Sequence, residues 1–539
     1  MAWMRRPDAP TTRRGRSGRA AASLAAALLV SGGLSAAALA PATALAADGP
    51  AAASADDFNG DGYADLVAGA PGGTVSGKAG AGYVAVTYGS AKGLAPEPGT
   101  VVSRSTAGVP GAATAKQRFG ETFAKGDLDG DGYSDLVIGS ATAGPGAVIL
   151  WGSPKGLTGA TAVAGFGQAP QVGDFDGDGQ ADLALFGAAQ VAGDDPVTQE
   201  ARLFQGPLTR EGTPAEQLDF LDRSEWWGYG SDGPACAEDD SCVDGPASVG
   251  GPVQPKAVGD VNGDGSDDLV TWLYEGDGVW AHHLFTGSAT GFRDAQEAGP
   301  IGSRGDDAAV GVGDVDGDGY DDVVTGSGEA TAKVTVRYGS AAGLEGREQA
   351  FDQSLPGLHG AQERGDHFGS CVAVADVTGD GRAEIALGIS GEDFSGLTDA
   401  GSVALLQGTA SGVTGEGSQV LHQNTAGVPG VAESGDKFGS ACALLDTDGD
   451  GHRDLVAAAA EENEQAGAVW ALRGTGEGLT VEGASAFGPG HVGGPVTPAT
   501  ALAADGPAAA SADDFNGDGY ADLVAGAPGG TVSGKAGAG

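Results

Sequence analysis

The sequence predicts an all-β fold, a β-propeller of four-stranded antiparallel blades, on three observations. A nine-residue Asp- and Gly-rich pattern recurs along the 539-residue chain, starting at Asp57, Asp127, Asp174, Asp260, Asp314, Asp376, Asp446 and Asp514. The apolar runs between copies are short, and each stops at Gly, Pro or Asp before a helix could form. Gly is abundant at 100 residues while aromatic side chains make up 6%, a profile that suits short strands joined by tight turns. Successive copies start 70, 47, 86, 54, 62, 70 and 68 residues apart, lengths that fit one blade plus variable loops. Seven copies precede residue 498, which predicts seven blades.

The elements of a blade follow in order. Ahead of the pattern comes a strand-like run, such as Phe119–Ala124 or Phe368–Val374. Behind it comes an apolar run opened by the last acid of the pattern, as in Asp135-Leu136-Val137-Ile138. A Gly-led third run follows, alternating in Tyr83–Gly89 and apolar in Ala468–Leu472, and a more polar fourth, such as Thr100–Arg104, leads into the next repeat. The Asp-rich loop therefore joins the first and second strands.

The formal net charge is −45. Such a chain repels nucleic acid and anionic membrane and attracts cations, and its acids are spaced in regular clusters rather than gathered in one tail. Residues 1–46 read as an export signal: an Arg-rich start to Arg19, an apolar run from Ala20 to about Ala40, and a small-x-small cleavage site at Ala44-Leu45-Ala46. A membrane anchor is disfavoured because Ser31, Gly32, Gly33 and Ser35 interrupt the run. Arg13-Arg14 lacks the apolar pair of a twin-arginine signal. The mature protein is expected to be secreted and monomeric, with no nucleic-acid or membrane partner.

Four cysteines fit an oxidising compartment and allow three pairings. Cys236 and Cys242 enclose a short acidic loop and suggest a local bridge. Cys371 and Cys442 lie five and four residues before their loop Asp, so in regular strands they face opposite sides and would need a bulge to pair.

In the loop Asp127–Asp135, positions 1, 3 and 5 present carboxylates, Gly at position 6 turns the chain, position 7 offers its carbonyl, and position 9 closes the cage. The first half matches an EF-hand loop, whose hard oxygen ligands suit Ca²⁺ rather than Mg²⁺. The second half differs, with the closing acid at 9 and a strand after it. Bare Asx-turns are the alternative for one copy; recurrence at matching strand positions favours metal, since converging carboxylates repel.

The expected ligands in the first three loops are Asp57, Asn59, Asp61 and Asp65 with the Tyr63 carbonyl; Asp127, Asp129, Asp131 and Asp135 with that of Tyr133; and Asp174, Asp176, Asp178 and Asp182 with that of Gln180. Next come Asp260, Asn262, Asp264 and Asp268 with Ser266, and Asp314, Asp316, Asp318 and Asp322 with Tyr320. The last are Asp376, Thr378, Asp380 and Glu384 with Arg382; Asp446, Asp448, Asp450 and Asp454 with His452; and Asp514, Asn516, Asp518 and Asp522 with Tyr520. Loops with four acids should bind best, those with Asn at position 3 less well, and the loop at Asp376 least.

With these motifs in hand, the chain resembles FG-GAP repeat proteins, whose best-known member is the N-terminal propeller of integrin α subunits, here of the secreted bacterial type. The resemblance rests on Phe119-Gly120, Phe368-Gly369 and Phe438-Gly439, each followed at fixed distance by the Asp loop, and on Gly69-Ala70-Pro71. Gly108-Val109-Pro110-Gly111 and Gly427-Val428-Pro429-Gly430 belong to the same pattern. The resemblance implies a seven-bladed propeller over residues 47–497. Repeats three to five lack the Phe-Gly pair, so irregular blades are expected there.

Residues 498–539 repeat residues 41–82 without a change. Both copies encode the first two strands of the first blade, so they are expected to compete for one place, or the tail to close the ring against Tyr83–Gly89.

The sequence offers no nucleophile elbow, no HExxH and no phosphate loop, and His282-His283 falls in a strand, so no enzyme is expected. The expected function is an extracellular interaction or adhesion module for a protein or glycan; a lectin is the alternative and a hydrolase less favoured. Trp226, Trp227 and Tyr229, on the insertion at about 207–252, are the ligand-site candidates, though such residues can equally cap an irregular blade. The integrin resemblance places that ligand face opposite the calcium loops.

Overall fold

The structure, a computed structural model, describes residues 56–90, 94, 100–142, 145–189, 198–211, 217–221, 247–276, 278–326, 333–344, 346–448, 450–488, 514–518 and 521–522. The export signal, Trp226, Trp227, Tyr229, Cys236, Cys242 and Tyr520 lie outside the described residues.

Among the described residues seven antiparallel sheets succeed one another along the chain, as predicted, five of them four-stranded, the first with three strands and the third with five. The first comprises β1 (Leu66–Ala70), β2 (Tyr83–Thr87) and β3 (Thr100–Val102). The second comprises β4 (Phe123–Gly126), β5 (Asp135–Ile138), β6 (Ala147–Trp151) and β7 (Thr158–Val163). In the third, β8 (Gln168–Gly173), β9 (Asp182–Ala189), β10 (Thr198–Phe204) and β11 (Gln217–Leu218) are joined by β12 (Ser248–Gly250), which also pairs with β10. The fourth has β13 (Val253–Gly259), β14 (Asp268–Gly276), β15 (Val279–Thr286) and β16 (Arg293–Glu297). The fifth has β17 (Val310–Gly313), β18 (Asp322–Thr325), β19 (Val334–Arg337) and β20 (Glu348–Phe351). The sixth has β21 (Phe368–Ala375), β22 (Glu384–Ile389), β23 (Ser402–Gln407) and β24 (Thr414–Leu421). The seventh has β25 (Ala441–Leu445), β26 (Asp454–Ala459), β27 (Ala468–Arg473) and β28 (Thr480–Phe487). Among the described residues no helix is long and apolar enough to cross a membrane.

The core lies between sheets. Beyond the first sheet, second and third strands are buried on both faces, as in β5, β6, β22 and β26, because a neighbouring sheet covers each side. One apolar cluster joins Val324, Val334 and Val336 of the fifth sheet to Ile385, Leu387 and Leu406 of the sixth. Another joins Val67, Val84 and Val86 of the first to Leu136, Ile138 and Val148 of the second.

Two expectations change in detail. The run from Phe119 is not strand throughout, because β4 starts at Phe123. Gly120 has φ +82°, and a Cβ there would sit 2.7 Å from Val84 Cγ1, so the Phe-Gly pair makes a turn that drops Phe119 into full burial. Irregularity does not follow the expected range: β12 enlarges the third sheet and register shifts interrupt the fourth, but pairings in the fifth run without a shift, while shifts also occur in the second, sixth and seventh sheets.

A disulfide joins Cys371 to Cys442, across the first strands of the sixth and seventh sheets, with 5.7 Å between Cα atoms. The bulge this pairing requires is present: the register of β21 against β22 shifts between Phe368 and Val372.

Neighbouring repeats also join through their loops. The N–H at position 8 donates to the position-1 carbonyl of the preceding loop: Ser134 to Asp57 at 3.0 Å, Asp267 to Asp174 at 2.8 Å, Asp321 to Asp260 at 3.2 Å and Ala383 to Asp314 at 2.7 Å. The tail enters the same series. Ala521 N–H donates to the Asp446 carbonyl at 2.9 Å, and Ala64 N–H donates to the Asp514 carbonyl at 2.9 Å. Ser90 N–H donates to the Phe515 carbonyl at 3.0 Å, as Ser153 does to Phe58 at 3.0 Å. The loop at Asp514 thus sits between those at Asp446 and Asp57.

Phe515 is 2% exposed, and its truncation removes packing worth roughly 3 kcal/mol. Phe515→Ala is expected to speed amide hydrogen exchange at Ala64 and Ser90 by more than about tenfold. Unchanged rates would show that the tail does not support the first repeat.

Candidate metal centre

Each loop is built by its own carboxylates. The position-1 side chain bends back to accept from positions 5 and 6: Asp127 Oδ1 from Asp131 N at 3.1 Å and Oδ2 from Gly132 N at 2.8 Å, with the same pair at Asp174, Asp260, Asp314 and Asp376. Position 5 accepts in turn from the N–H of position 7, as Asp131 does from Tyr133 at 3.2 Å. The bond between positions 5 and 7 is an Asx-turn, so the turn chemistry and the acid spacing coincide.

Position 9 acts differently. Asp135 Oδ2 accepts from Leu128 N at 2.9 Å, while Oδ1 accepts from Gly152 N, just past β6, at 2.7 Å. The same two-sided clamp recurs from Asp65 to Gly89, Asp182 to Gly206, Asp268 to Gly287, Asp322 to Gly339 and Asp454 to Gly474. Glu384, one methylene longer, spends one oxygen on both Val377 N and Thr378 N. Position 2 supplies the buried plug beneath the loop, with Phe58, Leu128, Phe175, Val261, Val315 and Val377 all 0% exposed.

Three carboxylates meet within 4.8 Å in four loops: Asp127, Asp129 and Asp135; Asp174, Asp176 and Asp182; Asp314, Asp316 and Asp322; and Asp446, Asp448 and Asp450. These are the four loops with four acids. Hydrogen bonds do not account for every oxygen, since Asp129 Oδ1 and Asp316 Oδ1 are buried without a partner. Burial pushes Asp65, Asp135, Asp182, Asp268 and Asp322 up to about 7, and Glu384 likewise, with neighbouring loop acids adding to the rise. An all-oxygen donor set under this repulsion fits a hard divalent cation.

Other side chains reach the loops unannounced by the sequence. Arg210 pairs with Asp129 and Asp131, Arg347 with Asp316, and Arg473 with Asp448, while Gln205 Nε2 donates to Asp176 Oδ2 at 2.7 Å. Arg210 lies 81 residues from Asp129, so no local spacing could have linked them. The clamp glycines did leave a signal, because the third run of most repeats ends in Gly.

The paired histidines sit in β15, as expected. His282 is fully buried with its ring 4.4 Å from that of Trp272, and burial lowers it to about 4. His283 Nε2 lies 2.7 Å from Glu275 Oε1.

Residues 49–87, 368–406, 438–472 and 506–539 match the FG-GAP repeat, and residues 127–185 and 260–325 match the FG-GAP-like repeat. Integrin alpha-4 of Xenopus laevis is 30% identical over 175 residues, covering 31% of this chain and 15% of that protein. Integrin alpha pat-2 of Caenorhabditis elegans is 30% identical over 188 residues, covering 31% and 14%. A phosphatidylinositol-glycan-specific phospholipase D of Rattus norvegicus is 36% identical over 97 residues, covering 18% and 11%. The matches thus span no more than 15% of these relatives' lengths.

The raised carboxyls fix a pH dependence. A carboxyl raised in the folded state contributes stability that is full below its unfolded value near 3.8 and is lost as pH rises through about 7. His282, lowered by burial, acts in the opposite sense between its ordinary 6.5 and about 4, but it is one group against six. Metal-free protein, stripped by chelation and gel filtration, is expected to melt at higher temperature at pH 5 than at pH 7.5. A metal-free transition that is higher at pH 7.5 would contradict this account.

Proposed function

We propose, given that the chain is an FG-GAP repeat protein of the integrin α-like kind, that it is a secreted extracellular interaction module held rigid by structural Ca²⁺. The observation that carries the calcium reading is the meeting of position-1, position-3 and position-9 carboxylates in the loops at Asp127, Asp174 and Asp314. Bound cation would supply the counter-charge that buried carboxylates lack. Asp127, Asp129 and Asp135 would hold it in the second repeat, with equivalent residues in the others. The clamp from position 9 would then transmit that order to the third strand of each blade.

The function follows from rigidity. Loops at one end of each blade tie the sheets together and leave the connections at the opposite end free to present a binding surface. An extracellular protein is the partner proposed, contacted through those connections, and Trp226, Trp227 and Tyr229 are proposed as residues that would meet it. Secretion is supported by the leader at residues 1–46.

Ligand that binds only the folded state stabilises it by mass action. At millimolar Ca²⁺ and affinities of about 10⁻⁴–10⁻³ M, each occupied loop should contribute about 0.4–1.4 kcal/mol. Thermal unfolding followed by circular dichroism is expected to shift upward in Ca²⁺ relative to EGTA, with Mg²⁺ failing to replace it. Identical transitions in all three would end the calcium reading.

A further inference from the structure

We propose that Arg210, Arg347 and Arg473 are built-in counter-cations of the loops at Asp127, Asp314 and Asp446, so that the tightest cation site is the loop at Asp174. This rests on the calcium reading above.

All three guanidinium groups meet the same atom type, the position-3 Oδ2 of Asp129, Asp316 and Asp448. They arrive from different parts of the fold. Arg210 follows the third strand of the next repeat, Arg347 precedes β20 of its own sheet, and Arg473 ends β27. Common placement from unrelated origins argues for a requirement at position 3 rather than an accident of one hairpin.

The arginines are also held in place. Arg347 stacks 3.7 Å above the Tyr338 ring, whose hydroxyl donates to Gln349 Oε1 at 2.8 Å. Arg210 lies 5.6 Å from the Trp151 ring, while Trp151 Nε1 donates to Thr161 Oγ1 at 2.9 Å and that hydroxyl donates to the Arg210 carbonyl at 2.8 Å. Trp151 and Tyr338 occupy the same place, directly before the clamp glycines Gly152 and Gly339. Arg473 stands there itself before Gly474, and Gln205 before Gly206.

The loop at Asp174 breaks the pattern, because its position-3 partner is the neutral Gln205 amide. The remaining loops carry Asn59, Asn262, Thr378 and Asn516 at position 3, with one carboxylate fewer to balance. With Oδ2 taken by a guanidinium, Asp129 and Asp316 keep Oδ1 buried and unpartnered among the loop carboxylates. A cation can still enter, but against a fixed positive charge, which weakens binding by about tenfold.

The test is calorimetric titration of the metal-free full chain with Ca²⁺, paired with melting of the metal-free protein. Arg347→Gln is expected to tighten one class of sites by about tenfold and to lower the metal-free melting temperature. Arg347→Lys keeps the charge but loses the stacked guanidinium, so it should tighten affinity less than Arg347→Gln does. Asp176→Asn should remove the tightest class seen in the parent. Weaker or unchanged Ca²⁺ affinity in Arg347→Gln, or a tightest class that survives Asp176→Asn, would overturn the proposal. A parent that binds no Ca²⁺ would overturn the calcium reading itself, whereas a metal-free melting temperature unmoved by Arg347→Gln would remove the counter-ion role alone.

Discussion

The fold depends on a carboxylate that is buried for the sake of its two oxygens. At position 9 one oxygen accepts from the N–H of position 2, or in the loop at Asp174 from that of Asp176 at position 3, and in six repeats the other reaches a glycine N–H beyond the third strand. That single side chain therefore joins the loop to both hairpins of the blade. Its desolvation carries a cost, visible in carboxyls pushed up to about 7. In three loops a guanidinium brings positive charge close by, at the position-3 carboxylate.

Lateral order comes from the same loops. Position 8 hands its N–H to the loop before it, and the side chain at position 7 lies over that loop's position-4 glycine; a methyl group at Gly60 would collide with the Tyr133 ring. Gly at position 4 thus answers to a neighbour as well as to its own φ of +68°. Six apolar clusters repeat this logic, each spanning two sheets, while two smaller ones lie within the seventh and the fourth sheet. The disulfide between β21 and β25 adds a covalent link across one such junction, joining cysteines 71 residues apart.

Register shifts do not track the Phe-Gly turn, since they occur in the second, sixth and seventh sheets that carry it as well as in the third and fourth that lack it. The fourth sheet is distinguished by its length. There β14 and β15 extend to nine and eight residues and close over the cluster of Trp272, Tyr274 and Trp280. That cluster packs apolar rings around His282, and burial lowers the imidazole to about 4.

The sequence by itself determined the repeat, the strand that follows each loop, the four loops in which carboxylates gather and the need for a bulge before Cys371 could meet Cys442. These are local properties: turn residues, alternation and spacing act within about ten residues, where chain geometry leaves little choice. Only the tertiary structure decided what completes the sites. Arg210 meets Asp129, Gln205 meets Asp176 and Ala521 meets Asp446 because separate segments are brought into one place by sheet packing. Nothing in local spacing encodes such meetings, since they depend on how neighbouring blades are stacked and on which residue the next repeat happens to present.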